Sequence, residues 1–202
     1  MSKMLWKPTE EQIKSTNMYR FMNLVNEKYN QSFSDYKALY QWSIDNIPDF
    51  WETMWNFADI RASKSYSQVV KDLDKMPGAS WFPGAKLNFA ENLLRYRDDQ
   101  IALIFKGEAR KTIRITYNEL YDEVARVASS LRAAGVVSGD RVVGFMPNMP
   151  QSMIAMLAAS SIGAVWSSCS PDFGIKGVLD RFGQIKPKVL FTADGYFFKG
   201  HA

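Results

Sequence analysis

Cysteine and histidine are almost missing from this sequence. Its 202 residues contain one Cys and one His, so the chain can form no internal disulfide bond and no thiolate metal cluster. The single histidine removes most other metal sites as well. Cys169 has no identifiable base or acid partner that would make it a nucleophile. We therefore predict no metal site, name no catalytic residue, and interpret the thiol as a small buried hydrophobic group.

Long apolar runs and blocks of like charge are also missing. The longest apolar stretch, residues 153–166, is too short to cross a bilayer and is interrupted by serines and Gly163. The chain carries 25 basic and 21 acidic residues, a formal charge of +4, without a like-charge run typical of nucleic-acid tails. Its first residues do not have the pattern of a secretory signal. We expect a soluble cytosolic protein with small-molecule partners, no nucleic-acid partner and no membrane span.

The composition is that of a globular protein, and two regions differ in character. Residues 1–85 contain five of the six tryptophans and have the pattern of short helices. Ser34 is placed to cap one helix that runs through Trp42, and a second helix carries closely spaced apolar side chains: Phe50, Trp51, Met54 and Trp55. This stripe could stack on a base, but we interpret it as core packing, because large aromatic side chains supply most of the buried area of a helical layer.

From residue 86 onward, strand and helix patterns alternate. "IALIF" and "KTIRIT" predict two strands around a turn at residues 106–110. Thr116 and Glu119 then have the spacing of a capping box, and Gly135 marks the end of that helix. The remaining predicted elements follow in the order strand, helix, strand, helix, strand: "RVVGFM", "PQSMIAMLAASSI", "AVWSS", "IKGVLDRFGQ" and "VLFTA". Short connections of this kind predict an α/β fold with part of a doubly wound, mainly parallel sheet after the helical region.

The turn "SSCSPDFG", residues 167–174, lies between a predicted strand and a predicted helix. In open α/β sheets, ligands bind outside the carboxyl ends of the strands, at loops of this kind. The loop "MPNMP", residues 146–150, is a second such loop one unit earlier. The alternative is that Pro171, Asp172 and Gly174 only shape the turn and cap the next helix, as these residue types often do. Spacing alone leaves both interpretations open.

Several motifs in this order resemble the opening of the adenylate-forming acyl-CoA synthetase superfamily. They are "ITYNEL" and "GDRVVGFMPNMPQSMIAMLAASSIGAVWSSCSPDFG". Within that superfamily, the chain is similar to the acetoacetyl-CoA synthetase family over essentially its whole length. The segments that carry this similarity are "SPDFG" followed by "VLDRFGQIKPKVLFT", together with "WFPGAKLNFAENLLRY" and "YQWSIDNIPDFWETMWNF". The resemblance implies a helical, Trp-rich cap region at residues 1–85 and the first part of the AMP-binding large domain at residues 86–202.

The resemblance also implies a chemistry. Such enzymes join acetoacetate to the α-phosphate of ATP, with Mg²⁺ spreading the charge, and the thiol of coenzyme A then displaces AMP in ketone-body and fatty-acid metabolism. The phosphate loop and the catalytic lysine that the family uses have no counterpart in this sequence, in which no G-x-x-x-x-G-K-[ST] pattern occurs. We therefore expect this chain to be the N-terminal portion of such a ligase, inactive by itself. ATP, coenzyme A and Mg²⁺ belong to the complete enzyme, and we expect none of them to bind this chain tightly.

By position in the family, Pro171, Asp172 and Gly174 would lie beside the pantetheine tunnel, and Lys199 would contact the phosphates of coenzyme A. Asp172 stands where better-known relatives have glycine, so helix capping is an equal alternative for it. Lys199 could equally be a solvated lysine. Arg181 could reach a phosphate, but a surface salt bridge is the favoured interpretation.

Two other functions stay open at the level of sequence. One is a ligase for another short acyl group, similar to acetyl- or propionyl-CoA synthetase, although these typically have a glycine-rich aromatic turn in place of "CSPDFG". The other is a non-catalytic interaction module from a short isoform, with an unpaired sheet edge covered by a partner.

Overall fold

The chain folds into two compact units, Met1–Lys86 and Leu87–Ala202. This computed structural model describes residues 4–108, 112–197 and 199–200. Within those ranges, no helix combines the length and the apolar character that crossing a bilayer requires.

The described residues of the first unit form four helices and a short antiparallel hairpin. Its elements are α1 (Glu10–Lys14), α2 (Asn17–Tyr29), α3 (Tyr36–Asp45), α4 (Ile47–Phe57), β1 (Val70–Lys71) and β2 (Ser80–Trp81). The core lies between α2, α3 and α4, where Val25 is fully buried and Phe50 and Met54 pack against its neighbours. The core interpretation is confirmed for these two α4 side chains, whereas Trp51 is 41% exposed.

Asp35, and not the predicted Ser34, caps helix α3. The Asp35 carboxylate accepts a hydrogen bond from the backbone N–H of Ala38 at 2.9 Å. Either residue type can cap a helix. Asp35, not Ser34, directly precedes Tyr36, the first residue of α3. The helix then continues to Asp45, three residues beyond the predicted end.

The second unit alternates strands and helices. Its elements are α5 (Phe89–Leu93), β3 (Ile101–Phe105), β4 (Ile113–Thr116), α6 (Tyr117–Ala133), β5 (Arg141–Phe145), α7 (Pro150–Ser161), β6 (Val165–Cys169), α8 (Ile175–Ile185) and β7 (Val189–Thr192). The capping box is confirmed: Thr116 Oγ1 accepts from the Glu119 N–H at 3.2 Å, and Glu119 Oε2 accepts from the Thr116 N–H at 2.8 Å. β3 and β4 form an antiparallel hairpin. The predicted turn between them falls partly on residues 109–111, outside the described residues.

The predicted parallel sheet is confirmed, with β5 in its centre. The strand order is β6-β5-β7, and both pairings of β5 are parallel. At the middle of the sheet Val143 lies between Ser167 of β6 and Leu190 of β7.

Helices cover both faces of this sheet, as a doubly wound fold requires. Val142 and Val143 are both fully buried but belong to different clusters. Val142 packs with residues of α5, α6 and α7, whereas Val143 packs with Cys169 and with Phe182 of α8. Successive side chains of a strand point to opposite faces, so α7 and α8 lie on opposite sides of the sheet.

The Gly139-Asp140-Arg141 turn ties the amino end of β5 to the neighbouring elements. Asp140 Oδ2 accepts from the Val137 N–H at 2.9 Å and pairs with Lys188 at 3.0 Å. Arg141 Nε donates to the carbonyl of Ile185, the last residue of α8, at 2.7 Å. The Val137 N–H, with Lys188 and Arg141, holds the pKa of Asp140 below its ordinary value. This motif therefore acts in stability at the end of the sheet where the strands begin.

We expect Asp140→Asn to lower the free energy of unfolding at neutral pH and to lose that effect in acid. A carboxyl group with a lowered folded-state pKa stabilises the protein above its unfolded-state pKa, about 3.9 for Asp, and this contribution disappears as pH falls through the folded-state value. Urea unfolding between about pH 7 and about pH 3 measures the change. Asp99→Asn alters an exposed carboxyl group and is the control. An equal loss at every pH would contradict this role.

Candidate functional site

A cleft lies between the carboxyl ends of β5 and β6. The chain leaves β5 toward α7 on one face of the sheet and leaves β6 toward α8 on the other face. Neighbouring strands whose following helices lie on opposite faces open a crevice, which is the usual ligand site of a doubly wound sheet. The cleft has a volume of about 470 Å³. That volume lies in the range of small-molecule sites.

Four segments supply the walls of this cleft. They are the end of β5 with its following loop, the first turn of α7, the end of β6 with its following loop, and Tyr196 after β7. The polar lining side chains are hydroxyl, amide, thiol and carboxylate groups: Asn148, Ser152, Ser168, Cys169, Ser170, Asp172 and Tyr196. No lysine or arginine is among the described lining residues. The cleft therefore suits a neutral ligand that offers hydrogen-bond donors better than it suits a phosphate group.

The loop after β6 is a closed hydrogen-bonded turn. The Phe173 N–H donates to the carbonyl of Ser170 at 3.2 Å, so that Pro171 takes the second position of a four-residue turn, where its fixed φ is favoured. Ser170 Oγ donates to Asp172 Oδ2 at 2.8 Å. These bonds orient the Asp172 carboxylate at the wall of the cleft.

Asp172 does not cap helix α8, so that alternative is wrong. The N-cap residue is Gly174, and no side chain accepts a hydrogen bond from the first turn of the helix. The Asp172 carboxylate instead accepts a hydrogen bond from the Ser170 hydroxyl in the preceding loop. The position directly before Ile175 is occupied by Gly174.

The structure brings together two of the four binding residues predicted from the sequence. Pro171 and Asp172 line the cleft. Gly174 starts α8 directly behind them but does not line it. Lys199 lies outside the lining, exposed on a turn whose backbone N–H groups hold the Glu108 carboxylate, at 3.2 Å from Lys199 and 2.8 Å from Gly200. Ligand contact by these residues stays a prediction, and His201 lies outside the described residues.

Sequence reasoning pointed to the loop "MPNMP" without naming Asn148 as a contact, and it missed Ser152 and Tyr196 as lining residues. The first two lie in or just after "MPNMP", the loop that follows β5, and Ser152 Oγ donates to the carbonyl of Pro147 at 2.9 Å. Their signal was their position after a strand. Tyr196 carries no comparable signal, because it reaches the cleft only when β7 lies beside β5.

The cysteine in the cleft is a poor nucleophile. Cys169 is 9% exposed, and burial raises the pKa of its thiol while the nearby Arg181 guanidinium acts in the opposite direction. The thiolate is the reactive form of cysteine. Burial and a raised pKa therefore agree with the interpretation of Cys169 as a small hydrophobic side chain.

Gly144 lines the cleft and packs closely against Trp166. A Cβ at this position would lie 2.6 Å from Cζ2 and 2.7 Å from Cη2 of Trp166. The indole therefore crosses the central strand, where it approaches Phe191 of β7 at 6.1 Å between ring centroids. The φ of Gly144 is not in the positive range, so its backbone conformation does not require glycine. The close approach of Trp166 does.

Comparison with protein families gives two matches. The family model described as "AMP-binding enzyme" matches residues 89–201, more than half of the chain. The model described as "Acetyl-coenzyme A synthetase N-terminus" matches residues 36–93. The chain belongs to the AMP-binding enzyme family.

Curated members of this AMP-binding family and a solved structure resemble the whole chain. The acetoacetyl-coenzyme A synthetase of Rhizobium meliloti (strain 1021) is 45% identical over 97% of the chain, and that of Danio rerio is 45% identical over 98%. The structure of acetoacetyl-CoA synthetase from Streptomyces lividans matches 98% of the chain with a TM-score of 0.89 and 43% identity. These matches confirm the resemblance to acetoacetyl-CoA synthetases and the α/β fold.

The chain spans only part of each of these AMP-binding relatives. It covers 30% of the length of the two curated proteins and 31% of the solved chain. The shared segment contains the cleft at the ends of β5 and β6.

We expect Gly144→Ala to destabilise the second unit by about 1–3 kcal/mol, the usual cost of inserting a methyl group into a packed region. The new methyl group would force the Trp166 ring away from the strand. Urea unfolding measures the loss.

Gly183→Ala is the matched control, because a Cβ at Gly183 in α8 meets nothing within 4 Å. It should be neutral or stabilise the helix by up to about 1 kcal/mol. Equal stability of the two variants would show that the Trp166 contact does not limit position 144.

Proposed function

We propose that this chain is the N-terminal part of an acetoacetate–CoA ligase. The complete enzyme activates acetoacetate with ATP to acetoacetyl-AMP and transfers the acyl group to coenzyme A. The observation that carries the proposal is the match of nearly the whole chain to acetoacetyl-CoA synthetases at 43–45% identity. The activity belongs to ketone-body and fatty-acid metabolism in the cytosol.

In this proposal the two regions have different tasks. Residues 1–85 form the helical cap region, which agrees with the N-terminal synthetase model at residues 36–93. Residues 86–202 form the first part of the AMP-binding domain, which agrees with the model at residues 89–201.

The ligand that we propose for the cleft is the pantetheine arm of coenzyme A. This arm is neutral and carries two amide groups, which donate and accept hydrogen bonds. Asp172 accepts from an amide N–H, while Asn148 and Ser152 offer further hydrogen-bonding groups on the opposite wall. Pro171 lies beside Asp172 in the cleft wall, and Gly174 begins α8 directly behind them.

The phosphates of coenzyme A lie outside the cleft in this proposal. Lys199, exposed after β7, is the residue that we propose to contact them. A phosphate inside the cleft would meet the Asp172 carboxylate without a described cation in the lining, which is electrostatically unfavourable.

ATP and Mg²⁺ do not fit the groups in this cleft. Activation of a carboxylate needs positive charge and backbone donors around the phosphates. The described lining contains one carboxylate and no cationic side chain. We therefore assign no step of adenylation to these residues, although ATP and Mg²⁺ belong to the proposed activity of the complete enzyme.

Each alternative has one observation in its favour. The name of the N-terminal family model, acetyl-coenzyme A synthetase, favours a ligase for a shorter acyl group. The outer edges of β6 and β7, which pair with no strand in the described part of the chain, favour an interaction module.

We expect the 202-residue chain to catalyse no acetoacetate-dependent exchange of pyrophosphate into ATP in the presence of Mg²⁺. The physical reason is that the described lining of the cleft offers no cationic side chain to hold the ATP phosphates. Exchange of labelled pyrophosphate measures the reaction, with the complete enzyme from Streptomyces lividans as the positive control. Exchange well above that of a sample without protein would refute the proposal that this chain alone cannot carry out adenylation.

We expect pantetheine to bind this chain weakly and Asp172→Ala to weaken that binding further, by a factor of about ten or more, since a hydrogen bond to a charged group contributes about 1.5–3 kcal/mol. Asp172→Asn, which keeps an acceptor for the Ser170 hydroxyl, should lose less. Isothermal titration measures the affinities.

The control for this measurement is Asp180→Ala, which removes the same charge from α8 outside the cleft. It should bind pantetheine like the unaltered chain. If Asp172→Ala and Asp180→Ala behave alike, the proposed contact is wrong.

A further inference from the structure

Arg181 of α8 covers the ring of Phe173 in the loop after β6. The guanidinium carbon lies 3.9 Å from the centroid of the ring, within the distance of a cation–π interaction. Arg181 Nη1 also donates to the carbonyl of Gly177 at 2.9 Å. The expected surface salt bridge of Arg181 is not among the ion pairs of the described residues; its guanidinium is used within its own helix and loop.

Gly177 makes this arrangement possible. A Cβ at position 177 would lie 3.3 Å from both Arg181 Nη1 and Phe173 Cδ1. The ring and the guanidinium therefore close over a backbone that carries no side chain. Gly177 and Arg181 are four residues apart in α8 and lie on one side of the helix axis, and the Phe173 ring reaches that side from the loop before the helix.

The loop that contains Phe173 is a wall of the cleft. The Phe173 N–H closes the turn that begins at Ser170, and the same turn presents Pro171 and Asp172 to the cleft. α8 has no side-chain cap that would tie this turn to the helix. The contact between Phe173 and Arg181 joins the two elements instead.

We infer that Arg181 is a positioning residue for the ligand cleft. Arg181 acts through Phe173. These two side chains pack over Gly177 and hold the Ser170–Phe173 turn against α8. The turn thereby limits access of solvent to the part of the cleft lined by Cys169. The inference rests on the proposed function only in that this cleft is the ligand site.

Cys169 supplies a built-in measurement of that access. It is the single cysteine of the chain, it is 9% exposed, and it lines the cleft directly before the turn. In alkylation by iodoacetamide, the Cys169 thiolate displaces iodide. The rate of this reaction therefore reports how often the Ser170–Phe173 turn separates from α8 and exposes the thiol in the folded chain.

We expect Arg181→Ala and Phe173→Leu to raise the alkylation rate of the thiolate about two- to fivefold, the factor that corresponds to loss of one exposed cation–π interaction. Arg181→Lys, which keeps the charge without the planar guanidinium, should give an intermediate rate. Lys176→Ala removes a charge from the same helix without touching the ring and should leave the rate unchanged. Rates count only where circular dichroism and urea unfolding show that each variant is folded under the labelling conditions.

A pH profile separates access from charge. Arg181 opposes the rise in the pKa of the Cys169 thiol that burial causes, so loss of the charge alone would slow alkylation at fixed pH. The charged or titratable groups that share the site with the thiol are Asp172, Tyr196 and Arg181. Comparison of the plateau rates, where the thiol is fully ionised, removes this effect. Phe173→Leu leaves all three groups in place and should be faster at every pH.

The inference is overturned if Phe173→Leu alkylates at the rate of the unaltered chain, or if the plateau rate of Arg181→Ala is not raised. Protection of Cys169 by pantetheine tests the proposed ligand separately. Faster variants without protection would refute pantetheine as the occupant and leave the positioning role intact. Protection with unchanged variants would support the ligand and refute the role of Arg181.

Discussion

The burial of β5 on both faces is the constraint on which the second unit depends. Val142 and Val143 are neighbours in sequence, and both are completely removed from solvent, one under α6 and α7 and the other under α8. Full burial of a valine is worth about 1.5–3 kcal/mol. Because the two side chains need cover on opposite faces, the helices must separate after β5 and β6, and that separation opens the cleft at the ends of these strands.

The two ends of the sheet differ in their side-chain chemistry, and the proposed ligand cleft lies at only one of them. At the amino end, Asp140 and Arg141 use charged hydrogen bonds to fasten a turn, a strand and the end of α8. At the carboxyl end, the side chains are short and polar, and one charged group, Asp172, is oriented by a turn instead of an ion pair. The first set is closed on itself, whereas the second leaves acceptors directed at the cleft. This contrast is the physical reason for placing the ligand at the carboxyl end.

Local patterns predicted the elements of the second unit well, because strand alternation, the Thr116 capping box and glycine stops depend on neighbours in sequence. They failed where adjacent residues compete or where distant elements meet. Ser34 and Asp35 both suit a cap, and Asp172 has the chemistry of a cap but is held by Ser170. Tyr196 joins the cleft only through the pairing of β7 with β5. No periodic pattern in one sequence contains that pairing.

The strand order β6-β5-β7 also has a consequence for synthesis on the ribosome. The central strand emerges first, and β6 can pair with it as soon as α7 has crossed over. The other edge of β5 must wait until α8 and β7 have been translated, because its partner is the last strand of the three. During that interval the nascent chain carries an open hydrogen-bonding edge beside apolar side chains, the kind of surface that chaperones shield.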